Sequence, residues 1–235
     1  RDVLGSRGLG DVYKRQHVDK SKLTVAEREM HEKKGIEAIK YNKFAVVTMA
    51  GGQATRLGHK GPKGTFIFDT ETNKSIFEAL CDTIKDAWRK YDTVIPWYIM
   101  TSRENNDATV AFFEEHNYFG YPKEAIRFFK QGELPMVSLT GKILLEENGM
   151  VKKAANGHGG TLQSMEKNHI IDEMKQNGIE WVFINGVDNV LVKPVDPLLI
   201  GMSIHNKVLG AVKSIAKTDP VSYTHLRAHE TLRHL

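Results

Sequence analysis

The chain has 235 residues, of which 40% are apolar and 26% charged, and it contains one cysteine. This composition excludes an intrinsically disordered chain and a disulfide-stabilised scaffold. No apolar run approaches the length of about eighteen residues that a membrane-spanning helix needs, so we expect no association with membranes. Because Cys81 has no partner for an internal disulfide, we expect a reducing compartment, the cytoplasm.

The two ends of the chain are related at the level of DNA. Residues 6–16 and 221–230 are translations of opposite strands of one oligonucleotide, which resembles a transposase-type sequencing adapter. We therefore expect residues 1–16 and 221–235 to be non-native and residues 17–220 to be part of a longer protein. The alternative is a basic N-terminal arm with a histidine-rich tail. Without the ends, basic and acidic residues nearly balance, and nothing predicts binding to nucleic acid.

The elements of residues 17–220 alternate between helices and strands. In the first half the patterns predict a helix from the capping box at Thr24 to a stop at Gly35, a strand at 44–49, a helix from Ser75 to about Lys90, a strand at 95–100 and a helix at 104–116. In the second half they predict a strand at 126–129, a hairpin at 142–152, one helix at 161–176, a strand at 181–187, a helix at 197–206 and a strand at 209–215.

This alternation predicts the fold class. Several of the strands are apolar on both faces, which is typical of strands in the middle of a parallel sheet. We therefore expect an open, mostly parallel, Rossmann-like α/β sheet with helices on both faces and a small β-hairpin insertion. Ligands of such sheets bind beyond the carboxyl ends of the strands.

The clearest functional signal is the loop after the first strand, MAGGQATRLG at 49–58, followed by PKG at 62–64. Glycines directly after a strand let backbone N–H groups approach a phosphate. Arg56 and Lys63 add two cations at a spacing that suits a polyphosphate. The loop is neither a P-loop nor a dinucleotide fingerprint. On the residues alone, a purely structural glycine turn is an equally good interpretation.

The same loop resembles the signature of the nucleotide-diphosphosugar pyrophosphorylases. Four further segments follow in the order typical of the UDP-sugar pyrophosphorylase family: IPWYIMTS at 95–102, FFKQG at 128–132, GHGG at 157–160 and VDNVLVK at 187–193. The resemblance extends over residues 17–220 and is greatest to the UDP-N-acetylhexosamine pyrophosphorylases.

The resemblance implies that residues 17–220 are a partial nucleotidyltransferase domain. Its reaction would join UTP and a sugar 1-phosphate into a UDP-sugar and pyrophosphate, with Mg²⁺ as cofactor. An attack in line on a phosphorus atom mainly needs positioning and charge neutralisation, which fits this residue set. The implied roles are catalytic for Arg56 and Lys63, nucleotide-binding for Met49, Ala50, Gly51, Gly52, Gln131 and Gly157, sugar-phosphate-binding for His158 and metal-binding for Asp188.

Other interpretations of these residues remain open. Gln131 would also suit a surface turn, Asp188 an Asx turn, and His158 a solvent-facing position. His158 stands where the N-acetylhexosamine enzymes usually have Asn, and His is more usual in UDP-glucose and broad-range UDP-sugar enzymes. The family's later sugar-binding motifs and a second phosphate-binding lysine are expected beyond residue 220. The chain as given would then be an inactive nucleotide-binding fragment.

Overall fold

The computed structural model describes residues 18–68 and 71–214. The segments interpreted as adapter-derived, residues 1–16 and 221–235, lie outside the described residues. The α-helices of the described part are α1 Val25–Lys40, α2 Ile76–Tyr91, α3 Asn106–Glu115, α4 Thr161–Lys167, α5 Ile170–Gln176 and α6 Pro197–His205. Its strands are β1 Phe44–Met49, β2 Trp97–Thr101, β3 Ile126–Lys130, β4 Glu133–Pro135, β5 Lys153–Ala155 and β6 Trp181–Gly186.

Four strands form one parallel sheet in the order β3-β2-β1-β6. Alternate residues of β1 face opposite sides. Phe44 and Val46 belong to a core with α1, α2, α3 and α6, whereas Ala45 and Val47 belong to a second core with α4 and α5. The prediction of an open parallel α/β sheet with helices on both faces is therefore confirmed.

The order of the strands creates a topological switch point beside β1. The chain moves outward from β1 to β2 and β3, and then returns to place β6 on the other side of β1. The last residue of β1, Met49, pairs with Gly186 at the end of β6. In open α/β sheets the crevice at such a switch point is the usual ligand site. The loops that follow β1 and β6 open onto this crevice.

The predicted helix stop at Gly35 is wrong, since α1 continues to Lys40. Gly35 faces α6 so closely that a Cβ there would overlap the carbonyl oxygen of Pro197, and a Cβ at Gly201 of α6 would overlap that of His31. The glycine in α1 therefore serves close packing between two helices rather than termination.

The predicted single helix at 161–176 is also wrong, because it divides into α4 and α5. His169 lies between them in the left-handed region, with φ of 59°. Asn168 stabilises the break by donating its side-chain N–H groups to the carbonyl oxygens of Lys130 and Ser164, at 3.0 and 2.8 Å. The break is therefore made by contacts with the end of β3, which helical periodicity does not reveal.

The strand predicted at 209–215 is absent from its described part, residues 209–214. Leu209 and Val212 are exposed, and no described strand pairs with this segment. Lys213 instead forms an ion pair with Asp196, with Nζ 2.7 Å from Oδ2. A partly apolar segment without a neighbouring strand has no hydrogen-bond partners that would hold it extended.

The predicted hairpin is present and extends beyond its predicted ends. Leu145 forms an antiparallel bridge with Val151, and β4 pairs with β5 at the base of the same arm, residues 133–155.

The helices of the described residues include none with both the length and the apolar character needed to cross a membrane.

Candidate functional site

The loops after β1 and β6 meet through an ion pair at the switch point. Lys63, at the end of the glycine-containing loop, pairs with Asp188, which lies two residues after β6. The Lys63 side chain is 30% exposed and that of Asp188 56%, so both charges remain accessible to a ligand. The structure therefore brings together two residues that the sequence placed 125 positions apart.

The loop after β1, residues 50–64, is held in a closed shape by its own backbone. Lys63 donates its N–H to the carbonyl oxygen of Gly52 at 3.0 Å, and Ala54 donates to Gly61 at 3.1 Å. Ala50 is fully buried, and its N–H bonds to the carbonyl oxygen of Met100 on β2 at 2.7 Å. The loop thus returns on itself, and its first residue is fixed to the sheet.

The outer side of this loop is open at Gly52. A Cβ built at Gly52 has no described atom within 4 Å. Met49, by contrast, ends β1 half-buried and accepts a hydrogen bond from the Thr161 hydroxyl on its sulfur at 3.2 Å. Arg56 lies in the short 3-10 turn Thr55–Leu57, and its side chain is outside what the structure describes. The space above Gly52 is therefore not filled by any described atom.

Gln131 comes to the same loop from the end of β3. Its backbone N–H bonds to the carbonyl oxygen of Thr101 at 2.8 Å, and its side chain is buried to 7% exposure. The amide lies directly against Gly51, where an added Cβ would sit 2.5 Å from the Gln131 Nε2. This burial is unlike a surface turn. With glycine at position 51, the Gln131 amide can lie directly against the backbone of the loop.

The loop at 156–160 faces β6 from the other side. Gly157 has a φ of 73°, which favours glycine, and an added Cβ would find open space. The His158 side chain is exposed, with its Cε1 3.8 Å from a Cβ position built at Gly186. The imidazole therefore lies at the carboxyl end of β6, beside Gly186, which precedes Asp188 by two residues.

Two side chains that sequence reasoning missed tie this loop to Gln131. Asn156 donates its backbone N–H to Gly132 at 2.9 Å, and its side chain packs between Gly132 and Gly160. Ser164 accepts from the N–H of Gly132 at 2.9 Å and donates to the carbonyl oxygen of Gly160 at 2.8 Å. These contacts link the two loops on which Gln131 and Gly157 lie.

Asn105 is a third residue that sequence reasoning missed. It is buried to 1% exposure between β2 and α3, below the glycine loop. Its only signal in the sequence was its place just after the carboxyl end of a strand. Cys81 packs in the core, where burial raises the pKa of its thiol to about 12 and leaves it unsuited to nucleophilic chemistry.

The donor set at Asp188 suits a hard cation that is mostly held by its substrate. Within residues 18–68 and 71–214, no group of three or more metal-ligating side chains occurs. Mg²⁺ commonly uses one or two carboxylates together with phosphate oxygens and water. A single accessible carboxylate at an open crevice fits that pattern, and it does not fit a metal enclosed by protein ligands.

A parallel α/β sheet with a closed glycine loop, a lysine and a carboxylate at its switch point defines a protein of the doubly wound class, with its ligand crevice at that point. Comparison with known proteins specifies the family. The sequence model of the UTP–glucose-1-phosphate uridylyltransferase family matches residues 7–223, and the chain belongs to this family.

Individual relatives agree with this membership. The chain is 40% identical over 189 residues to a UDP-N-acetylglucosamine pyrophosphorylase of Saccharomyces cerevisiae, a match that covers 79% of this chain and 40% of the relative. It is 35% identical over 208 residues to UDP-N-acetylglucosamine diphosphorylase 2 of Arabidopsis thaliana, a match that covers 84% of this chain and 41% of the relative. The chain therefore spans about two-fifths of the length of these curated relatives.

Solved structures show the same fold. The UDP-N-acetylglucosamine pyrophosphorylase of Trypanosoma brucei, solved with an inhibitor, superposes with a TM-score of 0.71 at 29% identity, covering 78% of this chain and 40% of that one. A UDP-glucose pyrophosphorylase of Leishmania major superposes with a TM-score of 0.67 at 16% identity, covering 83% of this chain and 39% of that one. At this identity the likeness is one of fold alone.

Proposed function

We propose that the whole protein is a uridylyltransferase that makes UDP-N-acetylglucosamine and pyrophosphate from UTP and N-acetylglucosamine 1-phosphate. We further propose that the present chain carries the nucleotide-binding part of its active site. The observation that carries this proposal is the pairing of Lys63 with Asp188 beside an open glycine loop at the switch point. The family membership of the chain supports it independently.

Different residues of the site bind different parts of UTP. Met49, Ala50, Gly51 and Gly52 provide the backbone against which the nucleotide lies, while Gln131 and Gly157 recognise its base. Lys63 and Arg56 neutralise the phosphates, because a cation close to a polyphosphate in a partly desolvated site stabilises the charge that develops during the reaction. Lys63 exchanges Asp188 for a phosphate when UTP binds.

Asp188, once released from Lys63, would hold Mg²⁺ at the nucleotide. The ion supplies charge neutralisation at the polyphosphate. A phosphate oxygen of the sugar 1-phosphate attacks the α-phosphorus of UTP, and the bond from that phosphorus to pyrophosphate breaks. The sugar phosphate is itself the nucleophile in this step, so our proposal assigns no side chain to that role.

N-acetylglucosamine 1-phosphate is our preferred sugar substrate because the relatives at 40% and 35% identity carry that sugar in their names. A UDP-glucose or broad-range UDP-sugar pyrophosphorylase is the second candidate. The exposed imidazole of His158 favours it, since a histidine offers no amide group for reading an N-acetyl substituent. We place the reaction in the cytoplasm, in keeping with the free, buried thiol of Cys81.

For the 235-residue chain itself we propose binding of UTP without turnover, because it spans only about two-fifths of its relatives. The experiment that tests the main proposal measures pyrophosphate release by the full-length protein from UTP, with N-acetylglucosamine 1-phosphate and glucose 1-phosphate as competing acceptors. We expect kcat/KM to be greatest for N-acetylglucosamine 1-phosphate. Equal values would favour the broad-range enzyme, and no release with either sugar phosphate would contradict the uridylyltransferase.

A further inference from the structure

Asn105 is placed to hold two carbonyl groups of the glycine loop at once. Its Nδ2 donates to the carbonyl oxygen of Ala50 at 3.0 Å and, in a longer contact, to that of Gly52 at 3.4 Å. Both hydrogens of the amide nitrogen are therefore directed at the loop. Because Asn105 is buried to 1% exposure, water does not compete for these contacts.

The rest of the Asn105 side chain is fixed by Ser102, at the end of β2. Asn105 Oδ1 accepts the N–H of Ser102 at 2.7 Å, and the Ser102 hydroxyl accepts the N–H of Asn105 at 3.2 Å. This reciprocal pair sets the orientation of the amide before it reaches the loop. The contact with the loop is thus made by a side chain with little freedom to adapt.

The orientation of the two carbonyls determines where the loop's N–H groups point. The peptide bonds of the described residues are trans, and in a trans peptide the N–H lies opposite the preceding carbonyl. With the carbonyls of Ala50 and Gly52 turned towards Asn105, the N–H groups of Gly51 and Gln53 are directed away from it. Among the described backbone hydrogen bonds, the N–H groups of residues 51–53 find no acceptor.

These unpaired donors lie beside the open space above Gly52. Unpaired N–H groups that point to the same side, as those of Gly51 and Gln53 do, are suited to the oxygen acceptors of an anionic ligand. We propose that Asn105 is a positioning residue of the nucleotide site, which turns the N–H groups of Gly51 and Gln53 towards UTP by holding the carbonyls of Ala50 and Gly52 from below. This inference rests on the proposed function, because UTP is the ligand it assigns.

The test compares the affinity for UTP with thermal stability in the 235-residue chain. Asn105→Asp keeps the shape of the side chain but places carboxylate oxygens against the two carbonyls, which repel them. We expect UTP, titrated calorimetrically with Mg²⁺, to bind about tenfold or more weakly, the effect of losing one or two hydrogen bonds to a charged ligand. Ser102→Ala loosens Asn105 without removing it, and we expect a smaller loss of about threefold.

Tyr121→Phe is the matched control for stability. The Tyr121 hydroxyl also bridges buried backbone groups, accepting from the N–H of Ile95 at 2.8 Å and donating to its carbonyl oxygen at 2.7 Å. We expect this variant to lower the melting temperature while its affinity for UTP stays within about twofold of wild type. A purely structural Asn105 would behave in the same way.

The outcomes separate this inference from the proposed function. If wild type binds UTP and both Asn105→Asp and Ser102→Ala bind it equally well, the positioning role is wrong and the nucleotide site stands. If wild type does not bind UTP, the nucleotide site itself is wrong and the inference is overturned with it. If Asn105→Asp does not fold, an unchanged affinity in Ser102→Ala still overturns the positioning role.

Discussion

The two sides of the crevice differ in how firmly the chain holds them. On the β1 side the glycine loop is closed by backbone hydrogen bonds, Ala50 and Asn105 are buried, and Gln131 packs on Gly51. On the β6 side His158 and Asp188 are exposed. The groups that the proposal assigns to the nucleotide are thus largely fixed in advance, whereas those assigned to the metal and the sugar phosphate are open. A site of this kind should bind UTP before the sugar 1-phosphate.

Removing the lysine of the firmly held side should produce the largest effect. In the full-length protein, Lys63→Ala removes a phosphate cation from a partly desolvated site. The loss should be about 100-fold to 1,000-fold in turnover, the scale of a lost transition-state donor. Pyrophosphorolysis rates and melting temperatures measure this effect. Lys60→Ala, at an exposed lysine of the same loop, is the control and should retain activity. Turnover of Lys63→Ala within about twofold of wild type would remove Lys63 from the site.

The carboxylate of the open side should show its role through the metal. Asp188→Asn keeps the shape of the side chain and removes the charge that Mg²⁺ prefers. We expect lower activity, by about tenfold or more, and a higher Mg²⁺ concentration for half-saturation, measured in titrations of the full-length protein. Asp86→Asn, at an exposed helical position that pairs with Arg89, should leave both unchanged. An unaltered Mg²⁺ dependence of Asp188→Asn would assign Asp188 to a turn.

Gly52→Ala tests whether the open space above the loop is the route of the nucleotide. An added methyl finds no described atom within 4 Å, so the melting temperature should hardly change. The methyl should nevertheless obstruct UTP and weaken its binding about tenfold. Gly178→Ala should do the opposite, because its φ of 72° follows α5 far along the chain from the loop. It should lower stability by about 1 kcal/mol and leave UTP binding intact. If Gly52→Ala binds UTP as tightly as Gly178→Ala does, the nucleotide does not enter through the space above Gly52.

The smallest effect is expected at His158, on the open side. If this residue reads the substituent at the sugar's second carbon, His158→Asn should raise the preference for N-acetylglucosamine 1-phosphate over glucose 1-phosphate severalfold. The ratio of the two kcat/KM values in the full-length protein measures this change. A wild type that already excludes glucose 1-phosphate, with no change in His158→Asn, would place the selection elsewhere.

Sequence patterns predicted those features that depend on local chemistry. The strand at Phe44–Met49 and the helix that begins after Ser75 follow from a buried β-branched run and from a capping residue, and both lie where the patterns placed them. The glycine loop was predicted because its residue types are restricted by backbone geometry. The crevice between β1 and β6 followed from these elements once the order of the strands was known.

The remaining features depend on contacts between distant parts of the chain. A glycine such as Gly35 is typical of a helix end, and only the packing of α6 against it explains why α1 continues past this position. Asn168 and His169 interrupt a periodic helical pattern because of the end of β3. Asn105 belongs to no sequence motif, because its contacts are with the carbonyl groups of Ala50 and Gly52, more than fifty residues earlier.

The most direct test of the difference between the two sides is a pair of calorimetric titrations of the 235-residue chain, one with UTP and Mg²⁺ and one with N-acetylglucosamine 1-phosphate alone. Because the chain fixes the nucleotide side in advance, we expect saturable binding of UTP and no measurable binding of the sugar phosphate. Binding of the sugar phosphate as tight as that of UTP, or no binding of UTP, would contradict a preformed nucleotide site.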